Sequence, residues 1–277
     1  MSEKARSDDQ QAAAQTPVSR PGSRLAPGDV VGGHYAVEEL LGEGGMAVVY
    51  RGRNTATGKA CALKILHAQL GARPEFMRLF AKEAKVGSVI GESEHIVAVF
   101  DAGLDEARGL PFLVMEMCEG ETLEHALERG PLPEGEAQAV LRQLGAALAQ
   151  AHRAGVVHRD LKPSNLFLAR DAAGKPLLKV MDFGIAKVLE EGAVRTATQI
   201  GTPAYTAPEQ MGPTTRKLAA KQGINIARGV SPATDVWAVG LIAYELLTGQ
   251  RPGQYWAIDT MTELPMKVAF EPIESAS

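Results

Sequence analysis

The sequence predicts an α+β fold of two lobes, a small lobe built on an antiparallel sheet with one main helix and a larger lobe that is mostly helical. From residue 34 to about 118, short apolar runs alternate with glycine-containing turns, which is typical of antiparallel strands. After Gly120 the apolar residues recur at helical spacing. Strands followed by helices indicate segregated layers, so we expect lobes at residues 34–118 and 119–277.

Composition excludes several classes of protein. The chain has 277 residues, of which 45% are hydrophobic, so it can bury a large core. Its 29 basic and 33 acidic residues are interspersed, which argues against a nucleic-acid or membrane surface. No signal core is visible at the N-terminus, and no apolar run reaches the roughly 20 residues of a bilayer span. With two cysteines, Cys61 and Cys118, both in predicted strand contexts, we expect reduced thiols, a cytoplasmic location and no membrane segment in this chain.

The elements follow in order along the chain. Residues 1–33 contain scarcely any large apolar side chain and are predicted to be disordered, because they bury too little to offset the entropy of ordering. Three antiparallel strands are predicted from "HYAVEELLGEGGMAVVYRGRN" to "KACALKIL", then a helix in "PEFMRLFAKEAKVGSVI" with Pro74 at its start. Two further strands, "HIVAVFDAGLD" and "LPFLVMEMC", precede helices in "TLEHALERG" and in the apolar pattern that ends at Gly155.

The stretch "LGEGGMAVVY" is a glycine-rich turn with two interpretations. A dinucleotide-binding fingerprint at Gly42, Gly44 and Ala47 would require a helix to begin there and an acidic residue about 20 positions later. Instead "AVVYRG" continues as a strand, and Lys64 stands near the position of the acid. A strand–turn–strand loop favours a polyphosphate site, since backbone N–H groups without side chains can approach the anion.

Lys64 lies in the apolar strand "CALKIL", where an inward-pointing ammonium needs a partner. Glu83, on the predicted helix, can supply that partner, and the pair would hold a fixed cation for phosphate oxygens. Lys82 and Lys85 on the same helix are assigned to solvent. The alternative is that Lys64 itself reaches solvent along its aliphatic stem.

Two polar segments add oxygen ligands. In "HRDLKPSN", residues 158–165, Pro163 prevents a regular helix, so Asp160 and Asn165 lie in a loop. In "LLKVMDFGIAK", Asp182 follows an apolar strand, and a carboxylate there can hold a hard cation. Taken singly, each segment is better explained as a solvated loop or an ordinary turn. Together with the glycine loop and Lys64 they form the inventory of phosphoryl transfer.

Seven segments in one order resemble a known family. They are "GEGGMAVV", "CALK", Glu83, "HRDLKPSN", "DFG", "GTPAYTAPE" and "TDVWAVG". Over residues 35 to about 250 the chain resembles the eukaryotic-type (Hanks-type) serine/threonine protein kinases of bacteria. The resemblance implies the bilobal kinase fold, a signalling role, ATP and Mg²⁺ (or Mn²⁺) as cofactors, and phosphorylation of Ser or Thr hydroxyls on a protein substrate. It also allows a transient homodimer for autophosphorylation.

The same resemblance assigns roles by position. It implies that Asp160 orients the substrate hydroxyl, that Lys162 reaches the γ-phosphate, and that Asn165 and Asp182 hold the metal ions. Lys64, paired with Glu83, would contact the α- and β-phosphates. The implied nucleotide-binding residues are Leu41, Gly42, Glu43, Gly44, Gly45, Met46, Ala47, Val48, Val49, Ala62, Lys64, Met115, Glu116 and Cys118, with Met115 as gatekeeper and the backbone of Glu116 and Cys118 on adenine. His158 and Phe183 would pack internally.

Regulation is also implied. Arg159, before Asp160, is typical of kinases that are switched by phosphorylation, because a guanidinium can bind a phosphate bidentately. Thr196 and Thr198 are the candidate phosphosites, and solvated loop threonines are the open alternative. Thr202 is expected to bridge toward Asp160 and Lys162.

The chain departs from the family pattern in three places. Ala47 replaces the third loop glycine, and an insertion after Glu209 carries a basic cluster, Arg216, Lys217, Lys221 and Arg228, that would recruit an acidic partner or be solvated. The larger lobe is expected to lack its final helices, and we find no arginine to pair with Glu209. A pseudokinase or truncated module that binds nucleotide or a partner without phosphoryl transfer is therefore the alternative function. A fourth, smaller departure is Gly87, where the family usually has a bulky residue.

Overall fold

The computed structural model describes residues 24–71, 74–171, 173–183 and 203–250. The first lobe contains a six-stranded sheet whose strands are β1 (Val30–Val31), β2 (Tyr35–Glu43), β3 (Ala47–Asn54), β4 (Ala60–Leu66), β5 (Val99–Asp105) and β6 (Leu110–Met115). Their spatial order is β1-β2-β3-β4-β6-β5, and every neighbouring pair is antiparallel. The five strands that the sequence predicts are therefore present, and β1 is additional.

Two helices accompany this sheet, α1 (Ala68–Gly71) and α2 (Pro74–Ile90). The bounds of α2 match the predicted helix because its apolar spacing is regular and proline fits the first turn. Gln150 of the second lobe donates from Nε2 to the carbonyls of Ile90 (3.3 Å) and Glu92 (2.9 Å) just after the helix. The C-terminal end of α2 is thus tied to the second lobe.

The N-terminal boundary differs from the expected one. Leu25 is 8% exposed and Val31 is 1% exposed, and both pack into the core of the first sheet. Arg108 binds the same segment, with Nη2 3.1 Å from Asp29 and Nη1 3.0 Å from the carbonyl of Val30. The prediction of disorder up to residue 33 is therefore wrong for residues 24–33. It rested on the polar composition of the whole segment, which did not show that two apolar side chains, Leu25 and Val31, would be buried. Residues 1–23 lie outside the described residues.

The second lobe packs helices against a small sheet. The helices are α3 (Leu123–Leu127), α4 (Glu134–Arg153), α5 (Pro213–Lys221) and α6 (Pro232–Thr248), and the sheet has the antiparallel order β7 (Gly120–Thr122), β8 (Leu166–Arg170), β9 (Pro176–Val180). One face of α4 enters the core through Leu144 and Leu148, where it meets Ile242 and Leu246 of α6. This core supports the loops that follow α4 and β9. In the part of the chain described here, no helix is long and apolar enough to cross a membrane.

A short segment of residues 95–98, the junction segment, joins the lobes. The N–H of Val97 donates to the carbonyl of Val180 (3.0 Å), and the N–H of Val180 donates to the carbonyl of His95 (2.9 Å). Ile96 forms an isolated parallel bridge with Val180. The end of β9 is consequently bonded to the chain that leads into β5 of the first lobe.

The insertion after Glu209 is partly helical and contains α5. Thr234 donates from Oγ1 to Oε1 of Glu209 at 2.5 Å, so this carboxylate has a hydroxyl partner within the described residues. The hydroxyl belongs to the first turn of α6, and sequence analysis had considered only arginine as a partner for Glu209. Arg216 donates to the carbonyl of Glu209 (3.3 Å), whereas Lys217, Lys221 and Arg228 are exposed.

Candidate active site

Lys64 is the centre of the site. It lies on β4 between Val49 of β3 and Leu113 of β6, and its side chain is 14% exposed. Its ammonium is 3.1 Å from Oε1 of Glu83, which is the expected ion pair, and 2.7 Å from Oδ1 of Asp182. The second contact was not predicted, because Lys64 and Asp182 are 118 residues apart. One cation therefore joins the sheet, α2 and the loop after β9.

This cluster shifts the pKa of all three groups. Burial by itself would lower the pKa of Lys64, but the charges of Asp182 and Glu83 outweigh burial and raise it. Burial, helped by the neighbouring Asp182, raises the pKa of Glu83 to about 8 against the opposing effect of Lys64. Burial also opposes ionisation of Asp182, yet the charge and hydrogen bond of Lys64 lower its pKa. Asp182 is therefore the acid of this cluster that ionises readily, whereas burial disfavours the charged form of Glu83.

The loop of residues 158–165, called the catalytic loop for the role that the resemblance implies, is held in place by α6. Asp235 is 1% exposed, and its carboxylate accepts the N–H of His158 and the N–H of Arg159, each at 2.9 Å. The imidazole of His152 donates to the same carboxylate at 2.7 Å. Arg159 has a φ of 69°, a conformation that costs a non-glycine residue about 1 kcal/mol or more. The motif "TDVWAVG" supported the resemblance without a role for Asp235, and these bonds supply one.

Asp160 is held by two residues of its own loop. Lys162 Nζ lies 3.0 Å from its Oδ2. Asn165 donates from Nδ2 to the carbonyl of Asp160 (2.8 Å) and, more weakly, to Oδ2 (3.3 Å). The N–H of Met181 donates to the carbonyl of Asn165 (2.9 Å), which places the catalytic loop directly beside Asp182. The loop is therefore hydrogen-bonded to the residues that follow β9.

His158 is part of the packing. It is 0% exposed, its Nε2 donates to the carbonyl of Met181 (2.9 Å), and its ring lies 4.8 Å from that of Phe183. The structure thus brings together the two side chains that the sequence expected to pack internally. A histidine in this position cannot reach a substrate as a base.

The glycine loop, residues 42–49, is the turn between β2 and β3. Leu41 to Glu43 end β2, and Ala47 to Val49 begin β3, so a strand follows the turn as expected and no helix starts there. The N–H of Gly44 donates to the carbonyl of Ala47 (2.9 Å), which closes the turn. The ring of His67 donates from Nε2 to the carbonyl of Gly44 (2.9 Å), a contact that sequence reasoning missed.

The connection between β6 and β7 comprises residues 116–119. Met115 ends β6 and is paired with Ala62 of β4. Cys118 was expected in a strand but belongs to the connection, because β6 ends three residues earlier. Burial, together with the nearby charge of Glu116, raises the pKa of the Cys118 thiol to about 11, so it stays protonated. The N–H of Glu116 is bonded to the carbonyl of Ala98 at 2.9 Å.

A cavity of about 30 Å³ lies between α2 and Phe183, and Glu83 and Asp182 are among the residues that line it. Gly87 of α2 borders it, and a Cβ on Gly87 would stand 3.8 Å from Cβ of Val99, an ordinary contact distance. The absent side chain therefore leaves space between the helix and the sheet.

The oxygen atoms around Asp182 suit a hard divalent cation. Asp182 is ionised, and because Asn165 commits its Nδ2 to Asp160, its amide oxygen is left as an acceptor. Carboxylate and amide oxygens are the ligands that Mg²⁺ prefers. Within the described ranges, no group of three or more His, Cys, Asp or Glu forms a metal site. The donor set therefore fits Mg²⁺ held by one or two protein oxygens, with substrate phosphates completing the ligands.

Thr196, Thr198 and Thr202 lie outside the described residues.

Comparison with known proteins agrees with this arrangement. Residues 35–271 match the family model described as "Protein kinase domain". Serine/threonine-protein kinase Pkn1 of Myxococcus xanthus is 41% identical over 222 residues, which are 79% of this chain and 29% of Pkn1. PknL of Mycobacterium tuberculosis is 37% identical over 220 residues, 79% of this chain and 50% of PknL. The chain thus spans half or less of the length of these relatives.

A solved structure shares the fold. The crystal structure of the Mycobacterium tuberculosis PknI kinase domain superposes with a TM-score of 0.61 at 28% identity, covering 83% of this chain and 79% of that one. The chain belongs to the protein kinase family. The relatives named above are bacterial serine/threonine kinases, which is the branch that "HRDLKPSN" and "GTPAY" indicated.

Proposed function

We propose that this chain is the catalytic domain of a serine/threonine protein kinase that transfers the γ-phosphate of ATP to Ser or Thr hydroxyls of a protein. The observation that carries the proposal is the contact of Lys64 with both Glu83 and Asp182, immediately beside the Asn165–Asp160 pair. Phosphoryl transfer depends mainly on positioning and on neutralising charge, and this cluster supplies a fixed cation, two metal ligands and a carboxylate.

In this proposal the phosphates lie between the glycine loop and Lys64. The backbone of Gly42 to Val49 covers them, and Lys64 binds the α- and β-phosphates. Asp182 and Asn165 hold Mg²⁺ (or Mn²⁺), which when bound neutralises phosphate charge. Adenine packs between Ala62 and the β6–β7 connection, next to Met115.

Asp160 orients the attacking hydroxyl. Oδ2 of its carboxylate contacts both Asn165 and Lys162, and in this proposal the ammonium of Lys162 reaches the γ-phosphate of bound ATP. As the substrate oxygen forms its new bond to the γ-phosphorus, the bond from that phosphorus to the β,γ-bridging oxygen breaks, ADP leaves, and the hydroxyl proton passes toward the carboxylate of Asp160. We further propose that phosphorylation of Thr196 or Thr198 activates the protein and that Thr202 contacts Asp160 and Lys162. Two copies would pair transiently for autophosphorylation. The proposed place of action is the cytoplasm, where free thiols such as those of Cys61 and Cys118 persist.

The test is incubation of the purified chain with radiolabelled ATP and Mg²⁺, with and without a generic protein substrate, beside the Asp160→Asn variant. We expect label on serine or threonine in the wild type and a loss of about a hundredfold or more in the variant. Equal labelling of the two proteins would overturn the proposal. ADP binding by both proteins without any labelling would favour the alternative, a nucleotide-binding pseudokinase.

A further inference from the structure

Lys179 is a buried charge that the proposed reaction does not use. It lies on β9, three residues before Asp182, and is 7% exposed. Its ammonium is 2.6 Å from Oε1 of Glu116, the first residue of the β6–β7 connection. A lysine is seldom buried unless it is paired, so this contact is the reason that the charge can be accommodated.

Glu116 is in turn bonded to the junction segment in two directions. Its second carboxylate oxygen, Oε2, accepts the N–H of Ala98 (3.2 Å), and its own N–H donates to the carbonyl of Ala98 (2.9 Å). The next residue back, Val97, donates to the carbonyl of Val180 on β9. Together with the chain bonds from Ala98 to Val97 and from Val180 to Lys179, these contacts close a ring between the strand that leads to Asp182 and the β6–β7 connection.

The ring determines which way the backbone of Glu116 faces. Because the N–H of Glu116 is committed to Ala98, rotation of its peptide would break that bond, and withdrawal of its carboxylate would leave Lys179 unpaired. Removing one partner of a buried ion pair is strongly unfavourable, since the other charge stays desolvated. The ammonium of Lys179 thus restrains the connection in one conformation.

We propose that Lys179 is a positioning residue for the nucleotide base: through Glu116 it fixes the backbone groups of the β6–β7 connection that bind adenine, and it couples them to β9, the strand that leads to Asp182. The inference rests on the proposed nucleotide site, and it adds a residue that touches neither the base nor the phosphates. It predicts a loss of affinity that is specific for ligands containing the base.

The experiment measures the dissociation constants of ADP and of inorganic tripolyphosphate, each with Mg²⁺, by calorimetry. In Lys179→Met, which keeps the length of the stem and removes the charge, we expect ADP to bind about tenfold more weakly, the equivalent of one charged hydrogen bond, while tripolyphosphate changes by less than about twofold. Lys175→Met is the matched control, because Lys175 is exposed just before β9, and both ligands should bind it as they bind the wild type.

Two further variants make the test independent of folding. Lys179→Arg keeps the charge and should retain ADP affinity to within about threefold. Lys179→Met combined with Glu116→Gln leaves no unpaired buried charge, so it should fold even where the single variant does not, and it should still lose ADP affinity selectively.

The outcomes separate the two proposals. Unchanged ADP affinity in the folded Lys179 variants, or an equal loss for ADP and tripolyphosphate, would overturn the role of Lys179 and leave the kinase proposal intact. A wild type that binds ADP but does not label protein would refute the transfer reaction while the selective loss still supports Lys179. Failure of the wild type to bind ADP would overturn both.

Discussion

The ammonium of Lys64 lies closer to Asp182, at 2.7 Å, than to Glu83, at 3.1 Å. A residue of the first-lobe sheet is therefore bonded directly to the loop that follows the second-lobe strand β9. The contact links the proposed phosphate-binding cation to the proposed metal ligand, so a change at either residue is expected to alter the other.

Replacing Lys64 tests the centre of this cluster. Lys64→Met should lower kcat/KM for phosphorylation by about a hundredfold or more, since it removes a preorganised charge aimed at the phosphates. It also leaves Glu83 and Asp182 without their shared cation, so the melting temperature should fall. Lys85→Met on the exposed face of α2 is the control and should change neither quantity. A Lys64 variant with wild-type kcat/KM would contradict the proposed site.

Glu83 predicts a pH dependence of stability. Its pKa rises from 4.5 to about 8 on folding, so the folded protein binds an extra proton between these values. The contribution of Glu83 to stability is therefore full at low pH and is lost as the pH rises toward about 8.

Glu83→Gln isolates this effect, because glutamine imitates the protonated acid and does not titrate. The melting temperature of the variant should be close to that of the wild type at pH 5 and should exceed it progressively up to about pH 8.5. Melting curves of both proteins across this range, in buffers of equal ionic strength, provide the measurement. A constant difference between the two proteins would show that Glu83 does not titrate there.

The hydrogen bonds of Gln210 predict that the conformation of residues 203–211 is coupled to that of the catalytic loop. Its Nε2 donates to the carbonyl of Arg159 (2.7 Å), and its Oε1 accepts the N–H of Ala207 (3.1 Å). Gln210→Glu keeps the acceptor for Ala207 but sets a carboxylate oxygen against the carbonyl of Arg159. We expect kcat to fall by about tenfold with KM for ATP within about twofold, because Asp160 is displaced and the nucleotide site is not.

The matched control is Gln222→Glu, at the exposed end of α5, which should leave kcat unchanged. Steady-state kinetics with varied ATP separates kcat from KM. A rise in KM at constant kcat for the Gln210 variant would show that its bond serves nucleotide binding instead.

Gly87 predicts a gain in stability. Gly87→Ala should add about 0.5–1 kcal/mol from helix propensity and about 0.8 kcal/mol from a methyl group that enters the cavity beside Val99. Gly145→Ala on α4 has open space around it and should gain the propensity part alone. Melting temperatures should therefore rise more for the Gly87 variant, by about 2–4 °C per additional kcal/mol. Equal gains would show that the cavity is not filled by the methyl group.

Features that depend on neighbours in the chain were predictable. The spacing of apolar residues and the position of Pro74 predicted α2 with its bounds, and the strand after the glycine loop excluded a dinucleotide fold. The average composition of a segment gave a wrong prediction where a few residues decide the structure. Residues 24–33 are polar on average, yet the buried side chains of Leu25 and Val31 order them. A search for arginine alone also missed the hydrogen bond that the hydroxyl of Thr234 donates to Glu209.

The linear order of motifs was enough to recognise the family and to identify Lys64, Asp160, Asn165 and Asp182 as candidates, because each motif is a short run with its own chemistry. Which of these groups touch one another was decided by the folded chain. Lys64 and Asp182 are separated by 118 residues, and Lys179 and Glu116 by 63. Contacts over such separations arise only when two lobes pack, and burial then determines both the pairing and the protonation of the charges, which no local pattern encodes.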